Sequence, residues 1–156
     1  MKLDPLDRRI LEALQSEPEL SNLELAEKVG LSPSPCSRRV KLLRDQGIIE
    51  KSYIQLNATK LNLKLTALVS IAMDRHTPER FDHFEAKIAA FPEVMECLLM
   101  TGQDADYLLK VVVPDMDYYR EFLLDKLTRI KGVTGVKSSF VLRQVIQKTA
   151  LPLKHV

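Results

Sequence analysis

The stretch from Ser21 to Gln46, SNLELAEKVGLSPSPCSRRVKLLRDQ, constrains the chain more than any other. Ser21 and Glu24 have the spacing of a capping box, in which each side chain satisfies a free backbone N–H at a helix start. Leu25, Ala26 and Val29 then give that helix one apolar face. Gly30 stands where a helix ends in the left-handed conformation, and Ser32-Pro33 offers an N-cap and a proline at N1 for the next. Only Val29-Gly30-Leu31 lies between the two, so the helices must cross steeply and pack. The stretch predicts a helix-turn-helix.

In the second helix Cys36, Val40 and Leu43 recur at i, i+4 and i+7 and form the inward stripe. Ser34, Ser37, Arg38 and Lys41 are left pointing outward, with Arg44 nearer the flank. A helix that enters a major groove needs short polar side chains near its N-terminus to reach base edges. It also needs long basic ones along its sides to hold phosphates. The candidate DNA contacts are therefore Ser32, Ser34, Ser37, Arg38, Arg39, Lys41, Arg44 and Lys51. Arg39 has two readings, because it also has the reach to brace the fold against an acid such as Asp7 or Glu27. A solvated charged helix is the plain alternative for such a segment; the capped helix and turn before it favour DNA.

Charge supports that assignment by its distribution. The whole 156-residue chain carries only +2, too little to argue for nucleic acid. Residues 1–30 carry four bases against seven acids, whereas residues 33–51 carry five bases against two. Phosphate binding follows the local field, so the segregated basic segment matters more than the sum.

Ahead of the helix-turn-helix, Asp4-Pro5 starts a helix whose Leu6, Ile10 and Leu14 cover its back, with an end near Ser16–Pro18. Gly47 closes the second helix of the pair. Ile48, Ile49, Tyr53, Ile54 and Leu56 then alternate with polar residues, and a short β-ribbon or extended segment here makes a winged helix. These residues define a DNA-binding domain over 1–56, followed by a polar linker over 57–64.

From Leu65 the pattern is different. Leu65, Ala67, Val69, Ile71 and Met73 define a strand of period two. Thr77-Pro78 caps a helix with Phe81, Phe84, Ile88 and Phe91 inward. Strands follow at Val94–Thr101 and Asp106–Val113. Asp115 caps a second helix with Tyr119, Phe122, Leu123, Leu127 and Ile130 inward, and a long last strand runs over Val133–Gln147. A shift of 39 residues superimposes Phe84 on Leu123, Ile88 on Leu127 and Phe91 on Ile130. Two such units in the order βαββαβ predict a ferredoxin-like domain over 65–147, with 148–156 as a tail; the fold class is α+β. Leu108 and Val112 oppose Leu109, Val111 and Val113, so both sheet faces are apolar. Two helices cover only one, and a second subunit should cover the other.

The blocks LDPLDRRILEAL, ELAEKVGLSPSPCSRRVKLLRDQGII, TGQDADYLLKVVVPDMDYY and SSFVLRQVIQKTALPL together resemble the leucine-responsive regulator (Lrp/AsnC) family of transcription factors over nearly the whole chain. The resemblance implies a DNA-binding regulator of double-stranded DNA, dimeric and often built into a ring of four dimers (an octamer), whose state is shifted by a small molecule, usually an amino acid. It places the effector near the loop joining the second and third strands. The matching residues are Met100, Thr101, Gly102, Gln103, Asp104 and Asp106. Family members commonly have two residues between the glycine and the aspartate preceding the tyrosine; this chain has three, so the loop is longer and its ligand open. A glycine turn offers N–H groups to a carboxylate, and Asp104 or Asp106 suits an ammonium, although a plain acidic hairpin has the same composition.

Other chemistries find no support. His76, His83 and His155 lack metal-ligand spacing, and no cofactor is expected beyond the amino-acid effector. No nucleophile elbow, phosphate-cradling glycine loop or paired acidic motif appears, and five glycines leave little for catalytic loops. Cys36 and Cys97 both read as small core residues, which suits a reducing cytoplasm. No apolar run reaches membrane-span length. The rival to a DNA-binding regulator is an amino-acid-binding ferredoxin-like module with an N-terminal protein-contact domain.

Overall fold

The computed structural model describes residues 3–102 and 104–155, and these form two compact units. One comprises residues up to Gln55 together with the segment from Ile146 onward; the other comprises Leu56–Val145.

The first unit is built on three helices: α1 (Pro5–Ser16), α2 (Asn22–Val29) and α3 (Pro33–Asp45). Local sequence sets each boundary. Asp4 and Asp7 form a reciprocal capping box on α1, and Ser21 and Glu24 form one on α2. Gly30 takes φ 74° and ends α2 with two bonds, Leu31 N–H to Ala26 O and Gly30 N–H to Glu27 O. That pair of bonds is a Schellman motif, and it turns the chain sharply into α3. The same motif ends α3, where Ile48 N–H donates to Leu43 O and Gly47 N–H to Arg44 O. Ile10, Leu25, Val29, Cys36 and Leu43 are almost wholly buried at the centre of the three-helix core. Each large aliphatic side chain so buried contributes about 1.5–3 kcal/mol relative to exposure.

No strand forms among the described residues 48–56; the segment is irregular, and Tyr53, Ile54 and Leu56 are exposed. A ribbon needs two strands and a turn to return the chain, and this segment contains no turn dipeptide. The stretch 57–64 holds a 3₁₀ turn at Thr59–Leu61.

The second unit is a four-stranded antiparallel sheet in the order β2-β3-β1-β4, from β1 (Leu65–Met73), β2 (Val94–Leu99), β3 (Tyr107–Val113) and β4 (Val133–Phe140). Helix α4 (Pro78–Ala89) and helix α5 (Met116–Glu121) cover one face. α5 widens into a π turn at Phe122–Lys126 and tightens to 3₁₀ at Leu127–Arg129 before Ile130 and Gly132 end it. Phe84 stacks on Tyr107 at 4.6 Å, and Tyr119 meets Phe140 edge-on at 5.2 Å. Glu93, only 5% exposed, receives Lys126 Nζ at 2.5 Å and Tyr118 OH at 3.1 Å, which ties the start of β2 to the second helix.

Two expectations are corrected here. β4 ends at Phe140, not Gln147. Its partner β1 begins at Leu65 and already pairs Ala67 with Phe140, so only one further bond forms, Val141 N–H to Thr66 O. Cys97 is exposed rather than buried, because β2 is an edge strand and its residues extend beyond the helix cover. Cys36 is buried as expected, and burial pushes its thiol pKa up, which keeps it a neutral apolar side chain.

The register places Leu68, Leu98, Leu108 and Val112 on the face opposite the helices, around the Lys110–Glu96 ion pair at 3.3 Å. Leu98 is 50% exposed and Leu68 37% exposed in this single chain. That face is mixed: the apolar patch of Leu68, Leu98, Leu108 and Val112 is bordered by Thr66, Ser70, Lys137 and Ser139.

Candidate DNA-reading helix and effector loop

Helix α3 begins at Ser32, whose hydroxyl makes no capping bond. The reason lies in the sequence. An N-cap side chain bonds the N–H of N2 or N3, and the N3 residue here is Pro35, which has none. The Ser32 hydroxyl and the first turn of α3 are left available to an outside acceptor. Asn22, at the start of α2, donates its side-chain N–H to Pro33 O at 2.9 Å and fixes α3 against α2. Nothing local marks that contact in the sequence, because the partner carbonyl lies 11 residues further on in the next helix.

Ser32, Ser34, Ser37, Arg38, Lys41 and Arg44 are all exposed, and Lys51 is exposed beyond the helix end. Among the described residues, Arg38, Lys41, Arg44 and Lys51 have no ion-pair partner within the chain. Three unpaired cations and three hydroxyls thus lie on α3 and its N-cap residue, with the fourth cation, Lys51, beyond the helix end. An exposed cation with no internal partner is free to neutralise phosphate.

Arg39 differs from the rest of that set in being engaged within the chain, which favours its bracing reading. Its Nη1 lies 2.6 Å from Asp4 Oδ2 and 2.7 Å from Asp7 Oδ1, so it braces the fold. Asp7 N–H also donates to Asp4 Oδ1 at 2.8 Å. The two carboxylates that start α1 therefore also clamp α3. The Asp7 N–H, and after it the Arg39 guanidinium, hold the Asp4 carboxyl below its usual 3.8. A carboxyl with a depressed folded-state pKa contributes stability that is fully present above its unfolded value and is lost as pH falls through the folded one. Asp4→Asn should accordingly lower the thermal midpoint at neutral pH, with the gap to wild type closing below about pH 4. Calorimetry across that range measures it, and a gap that persists well below that pH would contradict the clamp.

The loop between β2 and β3 carries the second set of candidates. Thr101, Gly102 and Asp104 are exposed, Met100 is half-buried, and Gln103 lies outside the described residues. Gly102 adopts φ 82°, a left-handed conformation that suits glycine. Asp106 is already committed. Its Oδ2 accepts the Met73 N–H at 2.7 Å, its Oδ1 is 2.6 Å from His76 Nε2, and its backbone N–H donates to Ile71 O. Asp106 therefore anchors the loop to β1, and of the two acids proposed to meet an ammonium Asp104 makes no such contact among the described residues. Among the described residues no cluster of His, Cys, Asp and Glu is arranged to hold a metal ion. No helix of the described residues is long and apolar enough to cross a membrane.

Comparison with known proteins agrees with both units. Residues 66–151 match the Lrp/AsnC ligand binding domain, and residues 3–50 match a winged helix-turn-helix DNA-binding domain. The chain is 41% identical over 152 residues to the Bkd operon transcriptional regulator of Pseudomonas aeruginosa, covering 97% of this chain and 99% of that protein. It is also 41% identical to the leucine-responsive regulatory protein of Escherichia coli strain K12, over 97% of this chain and 92% of the relative. Among solved structures, a transcriptional regulator of Neisseria meningitidis in complex with L-Met superposes with a TM-score of 0.93 at 40% identity, covering 99% of both chains. With both domain matches in chain order and relatives aligned nearly end to end, the chain belongs to the Lrp/AsnC family of transcription regulators.

Proposed function

We propose that the protein is an operator-binding regulator that reads duplex DNA as a homodimer, with α3 of each protomer in a major groove. The observation that carries this is the exposed and unpaired Ser34–Lys41 side of α3, a helix fixed to its neighbours by the Arg39 clamp and the Asn22 bond. Ser32, Ser34 and Ser37 face base edges or nearby phosphates, while Arg38, Lys41, Arg44 and Lys51 hold the backbone. Two protomers join through the open sheet face around Leu68, Leu98, Leu108 and Val112, and dimers assemble further into a ring of four. The protein works in the cytoplasm beside the chromosome, and no reaction is assigned to it.

The effector is an amino acid held at Met100–Asp104, its carboxylate on the N–H groups around Gly102 and its ammonium facing Asp104. Binding shifts the equilibrium between states of the assembly by its difference in affinity for them. L-methionine is the first compound to test, since the Neisseria meningitidis relative is in complex with it. A ligand specific to the folded state at 100 times its Kd adds about 2.7 kcal/mol to apparent stability. A thermal-shift screen of the amino acids should give one clear rise, which Asp104→Asn reduces. A screen in which no amino acid raises the midpoint would sink the effector assignment.

DNA binding is tested by titrating a labelled plain duplex at two salt concentrations. A regulator binds it with a steep loss of affinity at the higher salt. Weak, salt-insensitive binding would instead favour the protein-contact module.

A further inference from the structure

Asp106, at the end of the effector loop, is held by four bonds. Its N–H donates to Ile71 O and its C=O accepts the Met100 N–H, each at 2.8 Å, which closes the hairpin between β2 and β3. Its Oδ2 accepts the Met73 N–H at 2.7 Å. Those three partners are backbone groups and do not titrate. The fourth partner does: His76 Nε2 lies 2.6 Å from Asp106 Oδ1, and the ordinary charge change of histidine falls between about pH 5 and pH 8. His76 stands in the turn between β1 and α4, its ring 6.0 Å from that of Phe81 on α4. Phe81 in turn meets Tyr107, the residue after Asp106, edge-on at 5.6 Å.

Among the described residues Asp106 is the charged group in contact with this ring. Asp74, in the same turn, is engaged by Arg80 of α4 at 2.9 Å. Arg75, Glu79, Asp82 and Asp104 are exposed and make no ion pair among the described residues. A charge on the ring therefore acts chiefly on Asp106, and a charge-assisted hydrogen bond is about twice as strong as a neutral one. We propose that His76 is a positioning residue for the effector: through Asp106 it holds the β2–β3 loop ready for ligand, and its protonation tightens that hold. The role rests on the effector assignment above. The held loop favours both the proton and the ligand, so each favours the other, and effector affinity rises as pH falls through the histidine range. The His76 side chain is 68% exposed, so solvent screens the pair and the effect is about threefold to fivefold.

The test is calorimetric titration of the full-length protein with L-methionine at about pH 6 and about pH 8, in two buffers of different ionisation enthalpy, which counts the protons taken up. Wild type should bind about threefold or more tightly at the lower pH and take up a fraction of a proton. His76→Gln keeps a neutral donor, so it should match wild type within about twofold at the higher pH and lose both the gain and the uptake at the lower. His76→Ala should bind more weakly than wild type at both. His83→Gln, at an exposed histidine of α4, should behave as wild type does. Titration of the ligand and of the other histidines is common to all these proteins and cancels in the comparison. A wild type without pH dependence, the same dependence in His76→Gln, or wild-type affinity in His76→Ala would each overturn the proposal. If L-methionine does not bind, the amino acid found by the thermal-shift screen takes its place; if the screen finds none, the effector assignment fails. The anchor is then judged without ligand, by hydrogen-exchange protection of the Met73 and Met100 amides, both bonded to Asp106. Protection should drop in His76→Ala, and unchanged protection would overturn the anchor as well.

Discussion

Replacing Arg38 and Lys41 together by alanine should weaken operator binding by about a hundredfold or more near physiological salt, with oligomer mass unchanged. Each change removes an exposed cation with no ion-pair partner among the described residues, so little folding stability is at risk. Two cations lost per protomer are four per dimer. At a slope of about −0.9 per phosphate neutralised, the plot of log K against log salt should flatten by roughly 3–4 units if all four lie on phosphate. If Arg38 instead reads a guanine edge, the flattening is nearer 2 and discrimination among operator sequences relaxes. Arg39→Met is the internal control. It should lower the thermal midpoint through loss of the Asp4 and Asp7 contacts, yet leave the salt slope in place. Normal binding by the double variant would remove α3 as the reading element.

The second large effect is expected at the sheet. Leu108→Asp sets a carboxylate in the middle of the open face, between Leu98 on β2 and Ser70 on β1. A two-fold interface repeats the change, so two unpaired charges are buried for each dimer formed. Each costs several kcal/mol unless it is solvated, which corresponds to at least a hundredfold rise in the dimer dissociation constant. Sedimentation at micromolar concentration should then show monomers. Circular dichroism should stay native, because Leu108 faces away from the core formed by Val69, Leu109 and Phe84. An unaltered dimer would place the subunit contact elsewhere.

These expectations draw on features that differ in how far the sequence exposes them. The three helices of the reading unit are legible because their signals are local: Asp4 with Asp7, Ser21 with Glu24, and Gly30 at φ 74° act within one turn of the chain. The inward stripe Cys36, Val40, Leu43 follows from helical spacing alone. Arg39 was not decidable that way, since its partners lie 35 and 32 residues back and compete equally with a phosphate on paper. Asp106 is similar. Its carboxylate looks free in a glycine–acid loop, but Met73 and His76 claim it from the end of β1 and the turn after it. The length of β4 was overread because Val141, Val145 and Ile146 continue an apolar pattern after the pairing strand has run out. Those same residues begin the segment that Gln15 captures, a contact 136 residues apart in sequence that no periodicity records.

The reading helix itself can be located on DNA directly. Cys36 is buried, so replacing exposed Cys97 by serine and Ser37 by cysteine leaves one reactive thiol, on the outer side of α3. An iron chelate attached there cleaves the sugars nearest to it. The proposed dimer predicts two clusters of cuts on a selected operator, in major grooves about 34 Å or one helical turn apart, or a whole multiple of it. Cuts spread evenly along the duplex, or none while binding persists, would contradict the placement of α3 in the groove.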